Sequence, residues 1–279
     1  MNILVTGGAG SVGTNLIEAL VKDHNVISWD NYTAGKESNH IKGAKYIRKD
    51  TKNAEYDDFD DIDLVYHLGE YSKIHPSFDI PERVFELNMV GSMKMIECCS
   101  ITDTPIVYAG SSTKLSHPGE MGSPYALFKS TVAKLFQCYG EWYNLKYNIC
   151  YFYNVYGPKT DTWGNEWQTV INIFKNQKKE GKNLTITGDG TQQRDFTHVE
   201  DIVKGLILAG KNIKKAEYQL GTGKQYSILE IAKAFNHPYE FIPPRKGERP
   251  SGLADIEQTK HELGYQPKHD IMNYIKNIK

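Results

Sequence analysis

Asn2-Ile3-Leu4-Val5-Thr6-Gly7-Gly8-Ala9-Gly10-Ser11-Val12-Gly13 opens this chain of 279 residues and decides its fold. Residues 2–6 are a short apolar run closed by glycines, the pattern of a core strand. Val12, Leu16, Ile17, Leu20 and Val21 then recur at the spacing of one helix face. A strand, a glycine turn and a helix thus follow one another directly. In that setting Gly7 permits the tight turn, Gly10 lets the backbone approach a pyrophosphate, and Gly13 lets helix and strand pack closely. The helix start, with Ser11 and Val12, offers N–H groups and a partial positive charge to phosphates. Asp30 closes the next apolar run, about 20 residues on, where an acidic residue can accept hydrogen bonds from a ribose. A bound dinucleotide is expected. The Asp30 charge repels a 2′-phosphate, so the expected cofactor is NAD rather than NADP. Asn31 and Lys36 are counted as further cofactor contacts, the lysine weakening the discrimination.

Working outward, short apolar runs alternate with longer amphipathic stretches. Val26-Ile27-Ser28-Trp29 ends at Asp30, Lys45-Tyr46-Ile47 ends at Asp50, and Leu64-Val65-Tyr66-His67-Leu68 ends at Gly69. A helix is expected from Glu82 to Cys99, after Pro81, then a strand at Ile106-Val107-Tyr108-Ala109. A long helix from about Ser123 to Tyr143 leads to a strand from Tyr147 to Tyr153. This alternation implies an α/β fold with a parallel sheet and helices on both faces. Such sheets bind ligands beyond the carboxyl ends of their strands. Gly7, Asp30, Asp50, His67, Ser111 and Asn154 all stand there. Asp50 and Thr51 are placed near the adenine.

After Asn154 turn residues become frequent: Gly157-Pro158, Gly164-Asn165, Gly188-Asp189-Gly190 and Pro243-Pro244. A smaller, loop-rich lobe is expected there, with Tyr218-Gln219-Leu220 returning to the main sheet. The boundaries drawn are 1–154, with 196–221 returning, for the cofactor domain, and 155–195 with 222–279 for the substrate lobe.

Composition sets the broad class. The chain is 39% hydrophobic and 24% charged, with a formal net charge of −1. No basic block suggests nucleic-acid binding, and no run approaches the roughly 20 apolar residues that span a bilayer. The N-terminus leads directly into a core strand rather than a signal peptide. Cys98, Cys99, Cys138 and Cys150 form no C-x-x-C pair or zinc-like spacing, so reduced cysteines in a cytoplasmic protein, with no metal, are expected.

Tyr125-Ala126-Leu127-Phe128-Lys129 puts a phenol and an ammonium at i and i+4, on one helix face. A tyrosine hydroxyl is a poor base near neutral pH. A neighbouring ammonium and a cationic nicotinamide favour the phenolate and bring it into working range. Ser111-Ser112-Thr113 follows a strand, where a hydroxyl can position the reacting oxygen.

These motifs resemble the extended short-chain dehydrogenase/reductase family, in its nucleotide-sugar epimerase and dehydratase branch. The resemblance covers essentially the whole chain. It rests on residues 6–13, Val65-Tyr66-His67-Leu68, Asn88-Met89-Val90-Gly91, Ser111-Ser112, Ser123-Pro124-Tyr125 with Lys129, and Tyr153-Asn154-Val155-Tyr156-Gly157-Pro158. Arg194-Asp195-Phe196-Thr197-His198-Val199 and Arg245-Lys246-Gly247-Glu248 follow later. It implies a Rossmann-type doubly wound parallel sheet with a smaller α+β substrate-binding lobe. It makes Tyr125 the acid/base, Lys129 the holder of the nicotinamide ribose, and Ser111 the assisting hydroxyl. Leu68, Gly69 and Asn88 become cofactor contacts. Ser112, Thr113, Asn154, Arg194 and Arg245 become contacts to a nucleotide sugar, the arginines gripping its diphosphate. A homodimer through the helices around 82–99 and 123–143 is also implied.

The chain departs from the family where Glu70 and Tyr71 replace small residues after Gly69, where Lys114 follows Thr113, and in the short 116–122 loop. The reaction expected is 4-epimerisation of a nucleotide sugar. The alternatives are 4,6-dehydration, reduction of a keto sugar, or an NAD-binding module without catalysis. Dehydration calls for an additional acid and base at the sugar, and residues 111–119 contain no carboxylate.

Overall fold

The computed structural model describes residues 1–160 and 168–278; the Gly164-Asn165 turn expected from the sequence lies outside the described residues. β1 (Asn2–Thr6), α1 (Ser11–Leu20), β2 (Asn25–Asp30), β3 (Ala44–Arg48) and β4 (Leu64–His67) come first. α2 (Pro81–Val84), α3 (Gly91–Ile101), β5 (Ile106–Ser111), α4 (Pro124–Trp142) and β6 (Tyr147–Phe152) complete the alternation. β7 (Asn154–Tyr156), α5 (Val170–Lys179), β8 (Leu184–Thr187), β9 (Gln193–His198), α6 (Val199–Lys211) and β10 (Ala216–Leu220) follow. β11 (Gln225–Ser227), α7 (Ile228–Ala234), β12 (Tyr239–Ile242), α8 (Glu257–Leu263) and α9 (Ile271–Lys276) end the chain.

The main sheet has seven strands in the order β10-β6-β5-β4-β1-β2-β3, every neighbouring pair parallel. This is the doubly wound, Rossmann-type α/β arrangement. The chain builds outward from β1 through β2 to β3, then crosses back to place β4 on the other side of β1. The crevice at that reversal is where such sheets take their ligand. Register fixes its contents, since Thr6 lies opposite both Trp29 and His67. The glycine loop, Asp30 and the segment after His67 therefore emerge side by side.

Two apolar layers clamp the sheet. Leu16, Ile17 and Leu20 of α1 pack with Ile202 and Leu206 of α6 on one face. Met95 and Ile96 of α3 pack with Val132, Ala133 and Phe136 of α4 on the other. Each of the larger of these buried side chains contributes about 1.5–3 kcal/mol from apolar burial. The single helix expected over 82–99 is instead α2, a π-helical turn over Phe85–Val90, and α3. The wider turn leaves the apolar spacing nearly unchanged, so periodicity does not reveal it.

Beyond the main sheet, β11-β9-β7 and β12-β8 form two small sheets around a third core that includes Phe174, Ile186, Ile231 and Phe235. Buried Asp195 ties this part to the end of β10. Its carboxylate accepts from Thr222 N at 3.0 Å, Thr222 Oγ1 at 2.7 Å and Gly223 N at 2.9 Å. No described helix is long and apolar enough to cross a membrane.

Candidate active site

Gly7 turns the chain with φ +68°, and a Cβ there would meet Gly69 Cα at 2.8 Å. The glycine loop thus rests directly on the backbone after β4. A Cβ at Gly13 would strike the Gly7 carbonyl, so α1 seats against the loop only through glycine. Gly10 stands at the N-cap of α1, where no side chain caps the helix. Its first-turn N–H groups and dipole are left open to an anion. Asp30 Oδ2 accepts from Ala9 N at 2.9 Å and Oδ1 from Tyr32 N at 2.7 Å, which aims the carboxylate across the loop mouth. Burial raises its pKa, and these two backbone bonds pull it back down.

One large cleft runs along the carboxyl edge of the sheet. Gly7, Gly10, Ser11, Val12, Gly13, Asp30 and Asn31 line one end, with Thr51, Leu68 and Gly69 beside them. Ser111, Tyr125 and Lys129 line the other. A glycine-walled cradle at an uncapped helix start, continuous with a phenol–ammonium pair, fits an extended dinucleotide. Of the other residues singled out, Lys36 is exposed and outside this lining. Asp50 accepts from Asn31 Nδ2 at 2.9 Å and from Lys52 N at 3.2 Å, so it braces Asn31 instead of facing the cleft. Asn88 is fully buried in the π-helical turn and holds the backbone of Tyr71 through both its amide atoms, at 2.8 and 3.1 Å.

Ser123 caps α4 by accepting from Ala126 N at 3.0 Å, and Pro124 occupies the first turn. The helix therefore starts in a fixed phase, with Tyr125 and Lys129 both on its buried side. Burial pushes the Tyr125 hydroxyl up to about 12; a hydrogen bond with Ser111 lowers it, Glu70 raises it, and Arg249 lowers it. Ser111 Oγ also accepts from Thr113 Oγ1 at 3.0 Å. Ser112 and Thr113 are buried beside it. Burial likewise lowers the Lys129 pKa, against the raising effect of Glu70. Lys129 Nζ donates to Ala109 O at 2.5 Å and forms an ion pair with Glu70.

A second, shallower cleft lies between residues 187–193 and 244–250. Arg194 is buried, donating to Gln193 O at 2.8 Å and to Glu248 Oε1 at 2.5 Å. Arg245 is exposed. Arg249 is the buried one, with Nη1 on Ser116 Oγ at 2.9 Å and Nε without a partner among the described residues. Burial lowers its pKa to about 10, and the nearby Arg194 cation adds to the effect. Sequence reasoning missed Arg249 and also Lys73, a half-buried residue lining the main cleft whose ammonium burial pushes down to about 8. Asn154 donates to Asp195 O at 3.1 Å as β7 begins, between the two sheets. Lys114, unexplained by the sequence, bonds to Tyr151 OH at 2.9 Å and pairs with Glu217 at 3.3 Å. It fastens the segment after β5 to β6 and β10.

Comparison with known proteins agrees with this geometry. The NAD dependent epimerase/dehydratase family matches residues 3–221. A putative UDP-glucose 4-epimerase of Methanocaldococcus jannaschii is 30% identical, over 99% of this chain and 96% of its own. UDP-glucuronic acid decarboxylase 4 of Arabidopsis thaliana is 29% identical, over 96% of this chain and 65% of its own. The solved UDP-glucuronic acid 4-epimerase of Bacillus cereus, in complex with UDP-glucuronic acid and NAD, superposes with a TM-score of 0.89 at 26% identity. That alignment covers 99% of this chain and 97% of that one. With its glycine loop, Asp30 and uncapped α1 arranged for NAD, the chain belongs to the NAD-dependent epimerase/dehydratase family.

Proposed function

We propose that this chain is a nucleotide-sugar 4-epimerase. The observation carrying the reading is the convergence of Tyr125, Lys129 and Ser111 in the cleft that holds the glycine loop and Asp30. Tyr125 takes the proton of the sugar 4-hydroxyl and later returns it to the same oxygen, once the ketone has presented its opposite face. Ser111 orients that oxygen, and Thr113 orients Ser111. Lys129 holds the nicotinamide ribose. Bound NAD supplies the hydride acceptor and, once reduced, the donor.

Arg194 and Arg249, two buried guanidinium groups, are assigned to the diphosphate, where planar forks match phosphate oxygens. Segments 1–154 and 196–221 serve the cofactor, and the remainder serves the sugar nucleotide. Dehydration is disfavoured because the candidate carboxylates among the described residues are not free for it. Residues 112–119 contain none, Glu70 is engaged by Lys129, and Glu120 is exposed.

The half-exposed Phe85 and Leu127 lie on the paired helices, where Phe85 meets Phe128 edge to face at 5.6 Å. We assign this face to a second copy of the chain, and sedimentation at the dimer mass is the expected outcome.

The deciding experiment incubates the protein with UDP-, GDP- and dTDP-sugars and identifies products by NMR and mass. An isomer of unchanged mass, with no net NAD consumed, is expected. Loss of water or carbon dioxide, or stoichiometric consumption of NADH, would replace the reading with dehydratase, decarboxylase or reductase respectively.

A further inference from the structure

Glu70 stands where a small residue is usual in the family that the chain resembles. Its side chain is only 3% exposed. Besides the ion pair with Lys129, its carboxylate accepts from Ser92 Oγ and, at 2.9 Å, from Tyr108 OH. Ser92 Oγ is 2.8 Å from His67 Nε2, and His67 Nδ1 is 2.8 Å from Thr6 Oγ1. Burial pushes His67 down to about 4, so it is neutral and brings no second cation. Lys129 is caught from three sides: Glu70, the Ala109 carbonyl, and the Tyr108 ring, whose centroid lies 4.4 Å from Nζ. A carboxylate this buried persists only when its charge and lone pairs are answered, and here they are.

We propose that Glu70 is a positioning residue that locks Lys129 in place and cancels its charge, so that Lys129 no longer favours the Tyr125 phenolate. The titratable groups around Tyr125 are Lys129 from its own helix, Tyr108 from β5, Glu70 and Tyr71 after β4, and Arg249 from the C-terminal segment. Lys73 lines the same cleft. With Lys129 neutralised, Arg249 and the nicotinamide ring are left as the cations acting on the phenol. The ring's charge appears and disappears during turnover, whereas that of Lys129 would be permanent. Tyr125 therefore keeps its proton until the oxidised cofactor is seated, and stays protonated, ready to act as the acid, while the ketone is bound. The proposal rests on Tyr125 as the acid/base.

The test reads the phenol directly. Protein labelled with [13Cζ]tyrosine is titrated without and with NAD, the Tyr125 resonance being assigned by its loss in Tyr125→Phe. Glu70→Gln should lower the midpoint by roughly one to three pH units, the effect of an unmasked neighbouring cation. The acid limb of the turnover profile should move the same way. Glu70→Asp, which keeps the charge, should stay near wild type. The Glu70→Gln/Lys129→Met double variant buries no unpaired charge, so it keeps the test valid if the single variant is unstable. It should also titrate near wild type. An unmoved or raised midpoint in Glu70→Gln, or a double variant shifted as far as Glu70→Gln, overturns the proposal. Undiminished turnover in Tyr125→Phe would instead remove the acid/base assignment, a separate result.

Discussion

Arg194 Nη2 and Glu248 Oε1 lie 2.5 Å apart in the second cleft, with the arginine side chain only 8% exposed. Arg249 is a second cation, close enough for Arg194 to lower its pKa electrostatically. Among the described residues, one carboxylate thus answers two buried guanidinium groups, which leaves positive charge for an incoming anion.

That imbalance separates Arg249 from Arg245. Arg249→Met should raise the KM for a nucleotide sugar about 10- to 100-fold, the worth of a charge-assisted hydrogen bond. Arg245→Met should change it less than about threefold, the surface expectation. Glu248→Gln removes the internal competitor for the guanidinium groups and should lower the KM. Steady-state kinetics on all three variants would check this, and the opposite ranking of the two arginines would return the diphosphate to Arg245.

Tyr125→Phe should retain the fold and NAD binding yet reduce kcat by about two to four orders of magnitude, the usual contribution of a positioned acid/base. The lost hydroxyl is buried and bonded to Ser111, so circular dichroism of the pure variant should be checked alongside. Near-normal turnover is the outcome that contradicts the assignment.

The Asp30 carboxylate is held by two backbone N–H groups, which keep it aimed at the loop mouth. Asp30→Ala should therefore weaken NAD binding far more than NADP binding, because it removes both a ribose acceptor and the charge opposing a 2′-phosphate. Calorimetry with each dinucleotide measures the ratio; a wild-type protein that prefers NADP would contradict this role for Asp30.

Local patterns made the main sheet legible, and long-range ones did not. The strand-glycine-helix opening and the spacing of Tyr125 and Lys129 are contained in short windows, and the structure brings them into one cleft. Glu70 and Lys129 are 59 residues apart and meet only because β4 and β5 are neighbours, which no window contains. Arg245 and Arg249 fall between β12 and α8, where no repeating structure lets spacing tell the inward residue from the outward one. The β7–β9 pairing joins Asn154 to Phe196, again beyond local pattern. Asn88 shows a subtler limit. The resemblance implies a cofactor contact, whereas its amide goes to the Tyr71 backbone, which depends on the π-helical turn.

His67 offers a test of the buried network through stability alone. It is fully buried between Thr6 Oγ1 and Ser92 Oγ, and burial pushes its pKa down to about 4. The unfolded chain carries this imidazole near its ordinary value of about 6.5. Between these two values the unfolded state binds more protons than the folded one. Stability must then fall as pH drops through that window and level off below about 4. The full contribution amounts to roughly 3–4 kcal/mol, at about 1.4 kcal/mol for each pH unit between the two values. Carboxylates titrate in the lower part of the same range, so the comparison needs a variant that removes only the imidazole. His67→Asn keeps a polar side chain between the two hydroxyls and cannot take up the proton. Urea unfolding at about pH 7 and about pH 4.5 should show wild type losing about 2–3 kcal/mol more than the variant. Equal losses in the two proteins would mean that His67 is protonated in the folded state, with the Ser92 and Glu70 contacts rearranged around a charged ring.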